Sequence, residues 1–126
     1  MPNPIQFKQG DIVAHYKSFY NTDADFANKK YLYKILYTEA YTSEDEPIKC
    51  VVYQALYGEK KVWIRHYDEF MSEINVEGNP FKYRFNKMDT ALNTIFNLTE
   101  VNRNNRAYNK DAILKALEEF MEKKEE

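Results

Sequence analysis

The sequence predicts an α+β fold, mainly β, with a small antiparallel barrel or roll at its centre and two helices after it. Three observations carry this. Strand-like runs punctuated by turns fill residues 12–85. From residue 88 onward the apolar period changes to that of helices. Aromatic residues make up 16% of the chain (eleven Tyr, eight Phe, one Trp) beside only three Gly and four Pro. Such a composition drives compaction and argues against disorder.

Taken in order, a first strand over 12–16 follows Gly10. Residues 18–30 carry Asn21, Asp23, Asp25 and Asn28 and read as a long polar loop. A second strand spans 32–41 and ends in a turn at 42–47. Residues 48–57 and 62–66 are two β-branched, aliphatic and aromatic runs joined by a glycine-led polar turn, the pattern of a β-hairpin. Phe70, Met71 and Ile74 have helical spacing, so one or two helical turns fall within 67–74. Gly78-Asn79-Pro80 breaks the chain, and 81–85 is the last short strand. Met88, Ala91, Leu92, Ile95, Phe96 and Thr99 then share one side of a helix capped by Asp89. An Asn- and Arg-rich loop over 102–106 leads to a final helix with the stripe Ile113, Leu114, Leu117, Phe120 and Met121, capped by Asn109. The expected division is a β-barrel domain, 1–86, and a helical extension, 87–126, packed on the barrel or on a partner.

Register decides which hairpin side chains share a face. A two-residue turn would pair Tyr57 with Lys60, and a three-residue loop would pair Tyr57 with Lys61. The second places Val52, Leu56, Val62 and Ile64 with Gln54 on one face, and Tyr53, Ala55, Tyr57, Trp63 and Arg65 on the other. It sorts aliphatic from aromatic and charged residues more cleanly and is preferred. An aromatic face with one arginine is thereby left for the C-terminal helices, a second subunit or a ligand.

Charge and motif content narrow the function classes. The net charge is −2 and evenly spread, so no global basic field attracts nucleic acid or anionic lipid. A single cysteine, Cys50, permits no intramolecular disulfide and is expected as a small buried thiol in a reducing compartment. The start of the chain lacks the features of a signal peptide, and no apolar run is long enough to cross a membrane, so a cytoplasmic protein is expected. His15, His66 and Cys50 lack the spacing of a zinc site. The stretch Asn21-Thr22-Asp23-Ala24-Asp25 starts like a calcium loop but has Phe26 where Gly is needed and Leu32 where the bidentate Glu belongs. No nucleophile elbow and no phosphate-cradling glycine loop occurs. No catalytic residue and no cofactor is therefore assigned, and an enzyme is not expected.

The leading expectation is a binding or adaptor module that presents Tyr53, Tyr57, Trp63 and Arg65, with His15 nearby, to a protein, peptide or small ligand. Alternatives are an assembly protein dimerising through the final helix and a small enzyme using His15, His66, Arg65 and an acid. A third is a nucleic-acid-associated module using Lys82, Arg84, Lys87, Arg103, Arg106 and Lys110 with Tyr83, Phe85 and Tyr108.

The hairpin Val-Val-Tyr-Gln-Ala-Leu-Tyr-Gly-Glu-Lys-Lys-Val-Trp-Ile-Arg at 51–65 resembles the bacterial domain-of-unknown-function family DUF1653. His15-Tyr16-Lys17 is similar to the family's H-F/Y-K, and Tyr33-Lys34-Ile35-Leu36 to its Y-x-V-L. Phe70-Met71-Ser72-Glu73 and residues 78–85 look like its last segments, so the resemblance covers about 10–86. It implies a small SH3-like barrel or roll and carries no activity with it. The chain departs from the pattern through an insertion of about a dozen residues over 18–30, and at Tyr41, His66 and Glu69.

Overall fold

Strand alternation gives the sheet two apolar faces, and each builds its own core. The computed structural model describes residues 3–97 and 109–120. Five strands, β1 (Ile12–His15), β2 (Leu32–Tyr41), β3 (Lys49–Ala55), β4 (Val62–His66) and β5 (Phe85–Lys87), form one antiparallel sheet in the order β4-β3-β2-β1-β5. The sheet is open, with β4 and β5 as its edges. It is nevertheless rolled, because the rings of Tyr53 on β3 and Phe85 on β5 meet with centroids 5.3 Å apart although two strands separate them. The fold is the predicted mainly-β α+β arrangement with C-terminal helices, its roll left unclosed.

The outer face of β1 and the start of β2 packs under the helices. Ala14 and Leu32 join Phe19, Phe26, Met88, Leu92, Ile95, Ile113 and Leu117 in one core. Helices α3 (Met88–Phe96) and α4 (Lys110–Ala116) supply its apolar stripes, and α4 lies against the short helix α1 (Asp23–Ala27). The inner face collects Val13, Tyr33, Ile35, Val51, Tyr53, Ala55, Phe70 and Phe85. Helix α2 (Tyr67–Phe70) covers this second core by stacking Phe70 flat on Phe85, at 4.0 Å and 6°.

Several elements differ from the sequence expectation. The polar stretch 18–30 holds a 3-10 helix, Tyr16–Tyr20, and the helix α1. Thr22 and Asp25 form a reciprocal capping box: the Thr22 hydroxyl accepts from the Asp25 N–H, and the Asp25 carboxylate accepts from the Thr22 N–H. Phe19 and Phe26, both fully buried, anchor the segment to the outer core. The last strand is Phe85–Lys87, not 81–85, because Val13 pairs with Lys87 and His15 with Phe85. Tyr83 makes only an isolated bridge to Glu73. Helix α3 starts directly after β5 with Lys87 at its cap position, so Asp89 lies in the first turn, where its charge favours the helix N-terminus. Asn109 caps α4 as expected, its Oδ1 accepting from the Ala112 N–H. Cys50 is buried. The loop expected at 102–106, and Thr99 and Met121 of the helical stripes, lie outside the described residues.

The hairpin register follows neither expected turn. Tyr53 pairs with Trp63 and Val52 with Ile64, a slide of two residues from the preferred register. A two-residue slide keeps every side chain on its face, so the expected sorting of the strand residues is retained. Beyond Ala55 the chain stays with β2 for one more residue, the Leu56 N–H donating to the Leu32 carbonyl and its side chain packing against the outer core. The turn closes later, with the Lys60 N–H on the Tyr57 carbonyl and left-handed backbone at Gly58 and Lys60.

Candidate functional site

The aromatic face of the hairpin points into the roll. Tyr53 lies at the centre of an edge-on cluster, its ring 5.3 Å from those of Tyr33, Phe70 and Phe85. It is 3% exposed. Its cover comes from α2 and β5, while α3 and α4 pack on the opposite face. The hydroxyls of Tyr33 and Tyr57 are hydrogen-bonded at 2.8 Å. Burial, reinforced by that bond, raises the Tyr33 pKa well above the ordinary phenol value.

Arg65 reaches inward from β4. Its Nε donates to the Tyr53 hydroxyl at 3.0 Å, and its Nη1 pairs with Glu69 Oε2 at 2.9 Å. The guanidinium also lies 5.7 Å from the Phe85 ring centroid. Glu69 reaches it because α2 begins directly after β4, and its single turn brings Glu69 back toward Arg65, four residues earlier on the strand. His15, at the end of β1, packs edge-on against Phe85 at 5.0 Å, and its Nδ1 accepts from the Lys17 N–H at 3.2 Å. Burial lowers its pKa from 6.5 to about 3, with Arg65, Lys17 and Arg84 adding positive charge nearby. His15 is thus held neutral.

Of the residues expected at a site, His15, Tyr53, Tyr57 and Arg65 converge on this inner cluster. Trp63 does not. It is 48% exposed on β4, beyond the covered part of the same face. His66 is exposed and shares the outer face with Ile64, so it does not join His15. Of the described members of the basic set, Lys82 lies over Tyr83, itself one of the set's aromatics, Arg84 bonds Ser72, Lys87 pairs with Asp11 and Lys110 lies over Phe96. Arg103, Arg106 and Tyr108 lie outside the described residues.

Two surface features were not anticipated from the sequence. The first is the free edge of β4, where Val62 is 53% and Ile64 68% exposed beside Trp63. Tyr37 pairs with Val52, and Val52 with Ile64, so a cross-strand apolar stripe runs over the outer face there. A shift of pairing between Ile35 and Tyr37 turns Tyr37 outward, and no local sequence pattern announces such a bulge. The second is a cleft of about 270 Å3 next to His15, lined in part by Tyr16, Tyr20 and Tyr31. A larger cleft of about 340 Å3 opens at the other end of the roll, between Phe7, Val51, Tyr67 and Met71.

No curated protein and no solved structure matches the chain. A family model, described as Protein of unknown function (DUF1653), matches residues 11–87, more than half of the chain and the whole of the rolled sheet with its inner cluster. The chain belongs to the DUF1653 family.

Proposed function

We propose that the protein is a non-enzymatic binding module that takes up an extended segment of a partner protein along the open edge of β4. The observation that carries this reading is the three consecutive exposed apolar residues of an edge strand, Val62, Trp63 and Ile64. The Ala55 N–H donates to the Lys61 carbonyl, so Lys61, Trp63 and Arg65 turn their backbone groups toward β3. Val62, Ile64 and His66 consequently turn theirs to the open edge. An incoming strand would complete that ladder, with its alternate side chains against Trp63 on one face and the Tyr37–Val52–Ile64 stripe on the other. Edge strands left long and apolar recruit other chains unless charge or a covering element protects them. Here the protecting charges, Lys60 and Lys61, precede the exposed run. The apolar stripe of α4 offers no comparable surface, since Ile113 and Leu117 are buried in the chain's own core.

Selection from a random linear peptide library tests the reading. Enriched peptides should shift Trp63 fluorescence, protect the Val62 and Ile64 amides from exchange, and lose binding to Ile64→Lys while retaining it with Glu44→Lys. Failure to enrich any peptide, or enrichment insensitive to Ile64→Lys, would remove β4 as the docking edge.

A further inference from the structure

The tyrosine cleft beside His15 has the properties of a second, separate ligand site. Tyr16, Tyr20 and Tyr31 furnish three rings within one opening, with Lys17, Lys30 and Val76 around them. The rings of Tyr16 and Tyr31 both lean on that of His15, each tilted by 32°, at 4.5 and 6.0 Å, so the buried imidazole supports two of the three tyrosine walls. Lys30 Nζ lies 5.4 Å from the Tyr31 ring centroid, so an ammonium group already stands over an aromatic wall.

The backbone holds Tyr31 in place at a cost. Lys29 and Tyr31 have φ of 63° and 65°, left-handed conformations that non-glycine residues adopt only under constraint. The constraint is visible: the Asn21 amide donates to the Lys30 carbonyl at 2.9 Å, the Lys30 N–H to the Asp25 carbonyl at 2.9 Å, and the His15 N–H to the Tyr31 carbonyl at 3.0 Å. Glycine at position 31 would relax the chain but delete a wall of the cleft. Strain kept where a side chain lines an opening is a mark of a site shaped before its ligand arrives.

Charge selects among ligands. Two lysines face one carboxylate in the lining, and that carboxylate, Asp25, is drawn to the start of α1 by the Thr22 N–H. An anion is favoured over a cation, and flat rings favour a flat partner. At about 270 Å3 the cleft is at the small end for ligand sites, of order 300 Å3 and upward.

We infer that this cleft binds a nucleoside monophosphate, free or as a unit of a single strand, with its base on the tyrosine rings and its phosphate on Lys17 and Lys30. The site is remote from the β4 edge in role, and neither proposal depends on the other. Titration of the full 15N-labelled chain with AMP, adenosine, inorganic phosphate, a short oligo-dT and tetramethylammonium decides it. AMP should shift the amides of Tyr16, Lys17, Tyr20, Lys30 and Tyr31 saturably, and adenosine or phosphate alone should bind about ten-fold more weakly. Tyr20→Ala and Lys30→Gln replace exposed side chains and should each weaken AMP binding about ten-fold, with the remaining spectrum unchanged. An oligo-dT that binds more tightly than AMP assigns the site to single strands; one that does not assigns it to the free nucleotide. Absence of AMP shifts in the cleft, AMP binding equal in both variants, or a preference for tetramethylammonium would overturn the inference.

Discussion

His15 should make the fold lose stability as the pH falls, and the size of the loss follows from where the ring lies. The unfolded imidazole titrates at 6.5, and the buried one, with Arg65, Lys17 and Arg84 near it, at about 3. Between those values the unfolded chain takes up a proton that the folded chain refuses. The contribution is complete above 6.5 and is lost progressively as the pH falls toward about 3. Its slope approaches about 1.4 kcal/mol per pH unit, so going from about pH 7 to about pH 5 should remove roughly 2 kcal/mol. Urea unfolding followed by Trp63 fluorescence at several pH values measures this. His15→Asn retains an acceptor for the Lys17 N–H but cannot titrate, and should lose about 2 kcal/mol less than the parent over that interval. If His15→Asn keeps the full pH dependence, or the parent loses less than about 0.5 kcal/mol, the assignment of a buried neutral histidine is refuted.

Phe70→Ala removes the ring stacked on Phe85 and should cost about 3–5 kcal/mol, measured by urea unfolding at neutral pH. Leu117→Ala should cost about 2–5 kcal/mol if the final helix belongs to the same folding unit as the sheet, and a single transition in both far-UV and fluorescence signals should accompany it. Lys60→Gly relieves a left-handed residue in the hairpin loop and should raise stability by about 0.5–1 kcal/mol, the strain relief exceeding the added entropy of the unfolded chain; a lower melting temperature would contradict the loop geometry. Ile64→Lys should change stability by less than about 0.5 kcal/mol, because that side chain is 68% exposed; a large loss would show that the outer stripe is covered within the chain.

Much of the fold was legible because it depends on local pattern. Strands β2 and β4 occupy their expected ranges, since β-branched and aromatic runs bounded by turn residues leave few alternatives. The helix after residue 88 and the Asn109 cap follow from apolar period and side-chain capping, both properties of neighbouring residues. Helix α1 was legible in principle. Thr22 and Asp25 have capping-box spacing, but the surrounding Asn and Asp residues give the same signal as a loop.

The site was less legible. Sequence alternation placed Tyr53 and Arg65 together and apart from Ile64, and that sorting survives in the fold. It could not say which face would be covered. The aliphatic stripe Val52–Val62–Ile64 has the composition of a core, yet the helices pack over β1 and the start of β2 and leave its β4 residues exposed. The aromatic face, which suits a wet surface, instead closes on Phe70 and Phe85. Covering a face requires elements distant in the chain, and alternation is blind to them. The sequence by itself determined the strands, the terminal helices and the partition of hairpin side chains, because each depends on residues within a few positions of one another. Only the tertiary structure decided that the sheet rolls around Phe85, that His15 is buried among cations, and that Trp63 and Ile64 remain on an open edge, because those outcomes depend on which distant surface reaches each face first.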